Sequence, residues 1–497
     1  MCPPRSGELH ALTGAEDNRT SSSKGEAPAH RQRWLGWLVR SQPKPSERLR
    51  APQPLIKSRL PSGRGAMEQP NVTGDGDAAL TPMFWAMVAL TGVATGLFGD
   101  FLMVILFGVQ HLAFAYHSGS LQAAAERDSG LRRVIVLCVA GAFGGIAWYL
   151  LRHFTPGEHA EVDDSIWHGK ALSARRSLGT SVISEVVIGM GASMGREAAP
   201  KLMGGVAGNV FASWARLSPG QRRLLIACGA GAGLAAVYNV PIGGALFAAE
   251  ILCGSLALPV VLPAILCSAI ATATAWLYLP EHATYLNIPA FRFTDPLLVF
   301  ALLAGPILGL LSSGYIRLIG WVSHHTVRGK RALFAPLIAF GALGLIGLAY
   351  PQLFGNGKDM AHMVFIGSGG IALLAALFIL KPLVTALCLG SGASGGLFTP
   401  MLSTGAVLGG LLGLAWSLAW PGSPMGAYAM VGASAVLGAS MQAPLAALVL
   451  VLELTQSGFG IAVPMIVATV IATTVARHVD GYSIYSARLE AASEPAA

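Results

Sequence analysis

Charge is scarce in this chain. Asp, Glu, Lys and Arg make up 12% of its 497 residues, where an ordinary soluble domain carries roughly 25%. Cysteine is sparse as well: the six (Cys2, Cys138, Cys228, Cys253, Cys267 and Cys388) stand apart, with no C-x-x-C spacing. Zinc, iron–sulfur and disulfide frameworks are therefore unsupported. Five of the six lie in apolar segments and read as small buried hydrophobes. No aromatic or folded motif accompanies the basic residues, so no nucleic-acid partner is expected. No cofactor is implied either.

Apolar residues and glycine abound: the chain is 53% hydrophobic and holds 61 glycines. A helix needs about 20 apolar residues to cross a bilayer. Runs approaching that length recur, for example Val134–Leu151, Val299–Ser312, Phe334–Tyr350 and Ile371–Leu380, several of them flanked by Arg or Lys. The density of such runs excludes a large soluble protein with buried helices and predicts an all-α, multi-pass membrane protein, in the inner membrane if the cell is bacterial. The net charge of +8 comes almost wholly from residues 1–66, which carry twelve basic and five acidic side chains. This Pro-, Ser- and Arg-rich segment reads as a disordered tail, kept with the C-terminal tail (490–497) on the cytoplasmic side by its positive charge. Its apolar cluster Trp34–Val39 is too short for a signal-peptide core, and Met67 is an alternative start. The sequon Asn71-Val-Thr73 reads as accidental.

The chain also repeats itself. The segment from Gly229 through Pro241 to Glu250 matches the segment from Gly432 through Pro444 to Glu453 without gaps, each position 203 residues later. Upstream, Gly191-Ala-Ser193-Met-Gly195 matches Gly392-Ala-Ser394-Gly-Gly396, 201 residues later. Small residues recur by chance in membrane helices, but Pro and Glu are rare there and repeat too. The pattern predicts two related membrane halves, 80–278 and 294–489. Transporters built from halves bind substrate near mid-membrane, where interrupted helices point their N-termini at an anion.

Two glycine-rich turns, Gly191–Pro200 and Gly390–Pro400, each precede a proline and a new apolar run. Glycine lets the backbone turn sharply and come close to a ligand, and proline is tolerated in a first helical turn. Each turn thus predicts a helix beginning inside the membrane with free N–H groups and the positive dipole end exposed. Left dry, such an end costs several kcal/mol, so an anion or water must sit there. Glu197 lies inside the first turn. It either caps its own helix or competes with a permeant anion for N–H groups, leaving when protonated.

These motifs resemble those of the CLC family of chloride channels and chloride/proton exchangers. Gly195-Arg-Glu197 is similar to its G-[KR]-E-G-P, Gly396-Leu-Phe-Thr-Pro400 to its G-x-F-x-P, and Ile484-Tyr485-Ser486 to the tyrosine segment closing its membrane domain. The resemblance covers residues 80–489, in the prokaryotic form without a C-terminal regulatory domain. It implies a fold of two inverted-topology repeats whose broken helices meet at a mid-membrane anion site, in a homodimer with one pore per subunit. It implies that Glu197 is the external gate and that Gly195, Arg196 and Ala198 line the outer site with it. The central anion would be held at Gly396, by the N–H groups of Leu397 and Phe398, and by the Tyr485 hydroxyl.

Three features depart from the family pattern. No serine aligns with its G-S-G-I-P, and the corresponding residues 155–167 carry four acids, which would cap a helix or lie away from the pore. His159, Glu161, Asp163 and His168 in and beside this stretch form a conceivable metal set, though loop acids are ordinarily solvated. The first signature ends Ala198-Ala199-Pro200, a stiffer turn than one with glycine. Finally, Ile251 stands where proton-coupled members carry an inner glutamate. Glu250 is adjacent but about 100° round the helix. The expected function is chloride or similar anion transport, coupled to protons and gated by Glu197, with an uncoupled channel as the alternative that Ile251 favours. A remote alternative is a rhomboid-like intramembrane protease, from Gly392-Ala-Ser394-Gly395 and a base in His478-Val-Asp-Gly481. Lys381, in an apolar run ending at Gly390, would support the pore potential or snorkel from a helix end.

Overall fold

A computed structural model of the chain describes residues 80–158 and 160–489. The basic tail, Met67, the sequon, Cys2, His159 and the residues after 489 lie outside them. The first half contains α1 (Pro82–Phe114), α2 (Leu121–Arg127), α3 (Gly130–Phe154), α4 (Val162–His168), α5 (Ala174–Gly189), α6 (Ala198–Trp214) and α7 (Pro219–Tyr238). Next come α8 (Pro241–Leu246), which runs into a π-helical turn at Phe247–Leu252, and α9 (Leu258–Ala275). The second half contains α10 (Asp295–His324), α11 (Ala335–Ile346), α12 (Lys358–Phe365), α13 (Ile371–Gly390), α14 (Phe398–Ala419), α15 (Met425–Met441), α16 (Pro444–Thr455) and α17 (Ala462–Val479). The run expected over Phe334–Tyr350 gives a shorter helix, α11, because the chain breaks into a 3-10 turn at Pro351–Leu353.

Seven helices (α1, α3, α9, α10, α13, α14 and α17) are long and apolar enough to cross a membrane. Their outward faces are apolar where a soluble protein would be polar: Phe101 and Val104 on α1, Val139 and Phe143 on α3, and Leu303 and Leu310 on α10 are all exposed. Lipid tails are the solvent for such a surface. The helix ends carry the expected punctuation. Thr81 and Thr294 accept from the backbone three residues on and precede a proline in the first turn of α1 and α10. Ser218 and Gln221 form a reciprocal capping box on α7, satisfying two N–H groups that the helix itself cannot.

The repeat read in the sequence is a repeat of structure. Packing of α6 on α7 is echoed by α14 on α15, and α1 on α9 by α10 on α17. Gly204 of α6 crosses Gly229 of α7 so closely that a Cβ on either would strike the other's carbonyl, and Gly405 and Gly432 cross in the same way. Both α7 and α15 end in a left-handed residue, Asn239 (φ 56°) and Gln442 (φ 57°), two positions before the proline that opens the next helix. Glycine at these crossings lets backbones approach without losing packing, the usual device where no hydrophobic effect drives helices together.

Candidate anion site

The two glycine-rich turns meet face to face. Gly191 (φ 102°) and Gly392 (φ 95°) take the left-handed conformation that turns the chain out of α5 and α13. Beyond them Gly195 and Gly396 form an antiparallel bridge, each N–H donating to the other's carbonyl at 2.8 and 2.7 Å. From this stitch α6 and α14 start in the middle of the molecule. Proline falls third in each helix, at Pro200 and Pro400, where its missing N–H costs nothing.

Glu197 does not cap its own helix; its side chain makes no capping bond there. It crosses to the other half, where Oε1 accepts from the Phe398 N–H at 2.7 Å. Oε2 accepts from the hydroxyls of Tyr238 and Thr399, both at 3.3 Å. The carboxylate is 5% exposed, and a Cβ on either Gly195 or Gly396 would overlap it. An anionic group thus sits on the positive start of α14, where hydrogen bonds to charge are worth about 1.5–3 kcal/mol each. Burial without such partners would be prohibitive.

The other expected residues divide. Arg196 stacks over the rings of Tyr238 (4.8 Å to the centroid) and Phe107 (5.7 Å). Ala198 begins α6, Leu397 is the residue before α14, and both flank the Glu197 seat. Tyr485 is not at Glu197: its hydroxyl faces Met441 Sδ at 3.9 Å, and its ring packs edge-on against Phe247. The hydroxyl beside the carboxylate belongs to Tyr238, which also bonds Thr399 Oγ1 at 2.7 Å. Tyr238 was visible as the tyrosine of the first repeat where the second has Met441, a difference easily passed over. Lys201, one turn into α6, was missed too. Its ammonium lies 4.6 Å from the Tyr485 ring centroid and is held by both oxygens of Asp163, at 2.7 and 3.0 Å.

The acidic segment lies beside the site. A cavity of about 410 Å³ takes its walls from Glu158, Glu161 and Asp164 together with Arg152, Lys170, Arg176, Arg328 and Arg488, so the bases outnumber the acids. A smaller cavity of about 70 Å³ shares Glu161, Thr180, Ser394 and Arg488 with it and continues to Ser181, Ser184, Lys201 and Ala198. The expectation that this segment lies off the pore is therefore corrected: it lines the approach, and its charges are matched. Asp163 pairs with Lys201, and Asp164 with His168 and Lys170, both at 2.7 Å. These pairings leave Asp163 and His168 already engaged, and His159 of the metal set lies outside the described residues.

Known proteins match this arrangement. The family model for the voltage gated chloride channel fits residues 143–477. An H(+)/Cl(-) exchange transporter ClcA of Yersinia pseudotuberculosis is 30% identical, over 81% of this chain and 86% of its own length. The chain belongs to the CLC family. A voltage-gated ClC-type chloride channel ClcB of Citrobacter koseri is also 30% identical, over 74% of this chain and 89% of its own. Among solved structures, a slow cyanobacterial Cl−/H+ antiporter superimposes with a TM-score of 0.71 at 22% identity, covering 82% of this chain and 97% of that one. A CLC-type fluoride/proton antiporter gives 0.67, with the same coverage and identity. The CLC fold is thus shared.

As a CLC protein the chain has unusual inner features. Ile251 is buried in the π turn, and its neighbour Glu250 is committed elsewhere, accepting from the N–H groups of Leu445 (3.2 Å) and Ala446 (2.6 Å) at the start of α16. Glu453 returns the gesture, accepting from Ile242 (3.0 Å) and Gly243 (2.6 Å) at the start of α8. Glu185 on α5 is fully buried, and neither carboxyl oxygen has a hydrogen-bond partner. Lys381 does not snorkel. It is 0% exposed, and its ammonium donates to Ser193 Oγ (2.8 Å) and to the carbonyls of Gly355 (3.0 Å) and Leu353 (3.3 Å). The alanines at 198 and 199 cause no backbone strain, because neither has a positive φ. Ser394 and His478 share no hydrogen bond; the Ser394 carbonyl instead accepts from Ser184 Oγ at 2.7 Å. The arrangement of nucleophile and base that a protease needs is not formed there.

Proposed function

We propose that this protein carries chloride or a similar small anion across the membrane in exchange for protons, as a homodimer, with Glu197 as the gate. The observation that carries the reading is the seat of the Glu197 carboxylate. It occupies the N-terminus of α14 on the Phe398 N–H, with Tyr238 and Thr399 alongside. A permeant anion is recognised by the same donors and the same dipole. Carboxylate and anion therefore compete. Protonation removes the carboxylate's charge and with it the attraction for the seat, so anion entry and proton uptake are linked at one group. The exchangers among the relatives and the antiporters of the same fold support this mode.

Liposomes with an imposed chloride gradient test it. Wild-type protein is expected to drive protons against chloride, and Glu197→Gln to lose the proton dependence of flux. A mutant indistinguishable from wild type would remove Glu197 from the mechanism. The buried Ile251 favours an uncoupled channel as a second reading. Anion flux with no accompanying proton movement in the wild type would establish that mode instead.

A further inference from the structure

We propose that Lys201 and Asp163 form a second, inner anion site, in which Asp163 stands in for the anion and is displaced by it. The inference rests on the anion-transport reading and adds a site to it. Lys201 projects from the first turn of α6, a helix of 17 residues, and its side chain is only 13% exposed. Its charge is met by both oxygens of Asp163 on one side and by the ring faces of Tyr485 and Phe247 on the other, at 4.6 and 5.7 Å. Beside this pair lies the 70 Å³ cavity, bounded by Ser181, Ser184 and the first residues of α6, Ala198 and Ala199. That volume admits more than one water-sized species. The N–H groups opening a helix have no acceptor within it. The cavity therefore gathers a buried ammonium, two hydroxyl-bearing side chains and a helix start, with no anion except the Asp163 carboxylate.

The parallel with Glu197 is chemical. There too a carboxylate fills a place built for an anion, on the start of α14. Asp163 belongs to α4, a helix of only seven residues beside the wide cavity, so it is carried by an element that can shift with little loss of packing. When an anion arrives from the wide cavity, the ammonium exchanges one oxyanion partner for it, and Asp163 is left to the bases lining that cavity. The ligand is a small monovalent anion, and a lysine supplies the charge that holds it.

Titration calorimetry with chloride on the detergent-solubilised full chain tests the site, alongside bromide anomalous diffraction. Lys201→Met is expected to weaken chloride binding roughly ten- to a hundredfold, the scale of one charge-assisted contact, and Lys201→Arg to restore most of it. Asp163→Asn is expected to tighten binding and to give a bromide peak beside Lys201. Wild-type affinity in Lys201→Met, or no bromide peak beside Lys201 in Asp163→Asn, overturns the proposal. Should Lys201→Met fail to fold, the Asp163→Asn result decides alone. Liposome flux separates the two readings: wild-type protein that passes no anion defeats the transport function, whereas flux with Lys201-independent binding defeats only the inner site.

Discussion

The hydroxyl of Tyr238 has two partners, Thr399 at 2.7 Å and Glu197 at 3.3 Å, and only one proton to share between them. Tyr238→Phe removes both contacts while keeping the ring under Arg196. The expected outcome is a folded protein whose anion flux changes several-fold, since one hydrogen bond to a charged group is worth about 1.5–3 kcal/mol. Unaltered flux and unaltered proton coupling would take Tyr238 out of the gate. Gly396 lies under the same carboxylate, with no room for a Cβ. Gly396→Ala is therefore expected to push Glu197 off its seat and leave the site open, read as proton-independent flux resembling that of Glu197→Gln. Lys381 is different in kind. Lys381→Met leaves Ser193, Leu353 and Gly355 without their donor, at about 1–3 kcal/mol for each buried acceptor. A lowered thermal midpoint in detergent is the readout, and an unchanged one would mean that water replaces the ammonium.

At the scale of elements the most informative pair is α8 and α16. Each begins within the membrane and has its first N–H groups bound by a glutamate from the far end of the other. This is a helix-dipole interaction exchanged between halves. Glu250→Gln and Glu453→Gln should each lower the thermal midpoint and leave the chloride-to-proton ratio intact; a changed ratio in Glu250→Gln would instead make it a proton carrier. Much of this architecture was readable in advance, because the backbone restricts residue type at certain places: glycine where φ is positive or helices cross, proline at a helix start, glutamate against free N–H groups. Those residues carried the repeat and the seat of Glu197. What stayed hidden were contacts across long sequence separation between residue types that many positions accept. Tyr238 meets a carboxylate 41 residues away, and Lys201 an aspartate 38 residues away. The direction of the Tyr485 hydroxyl is set by packing against Phe247 and Met441, which no motif encodes. Lys381 looked like a helix end because an apolar run stops there, yet α13 continues to Gly390 and places it mid-helix.

For the molecule as a whole, the short helices pose a question of solvent. The α8–π segment and α16, of 12 residues each, are too short to cross alone, since a span takes about 20 residues. They nevertheless expose Ile242 and Leu445 beside their capped starts. A second copy of the chain against this face would keep those polar starts away from lipid. Ile242→Trp is accordingly expected to reduce the dimer fraction in lipid at low protein density, measured by single-molecule photobleaching. A dimer fraction equal to wild type would move the interface elsewhere.

The stitch between Gly195 and Gly396 has a kinetic corollary. Two hydrogen bonds tie the halves together directly behind Glu197, so rocking one half against the other would have to break them at every cycle. Turnover is then paced by the swing of a single side chain, and clamping the halves covalently near this seam should leave the rate of passage almost untouched.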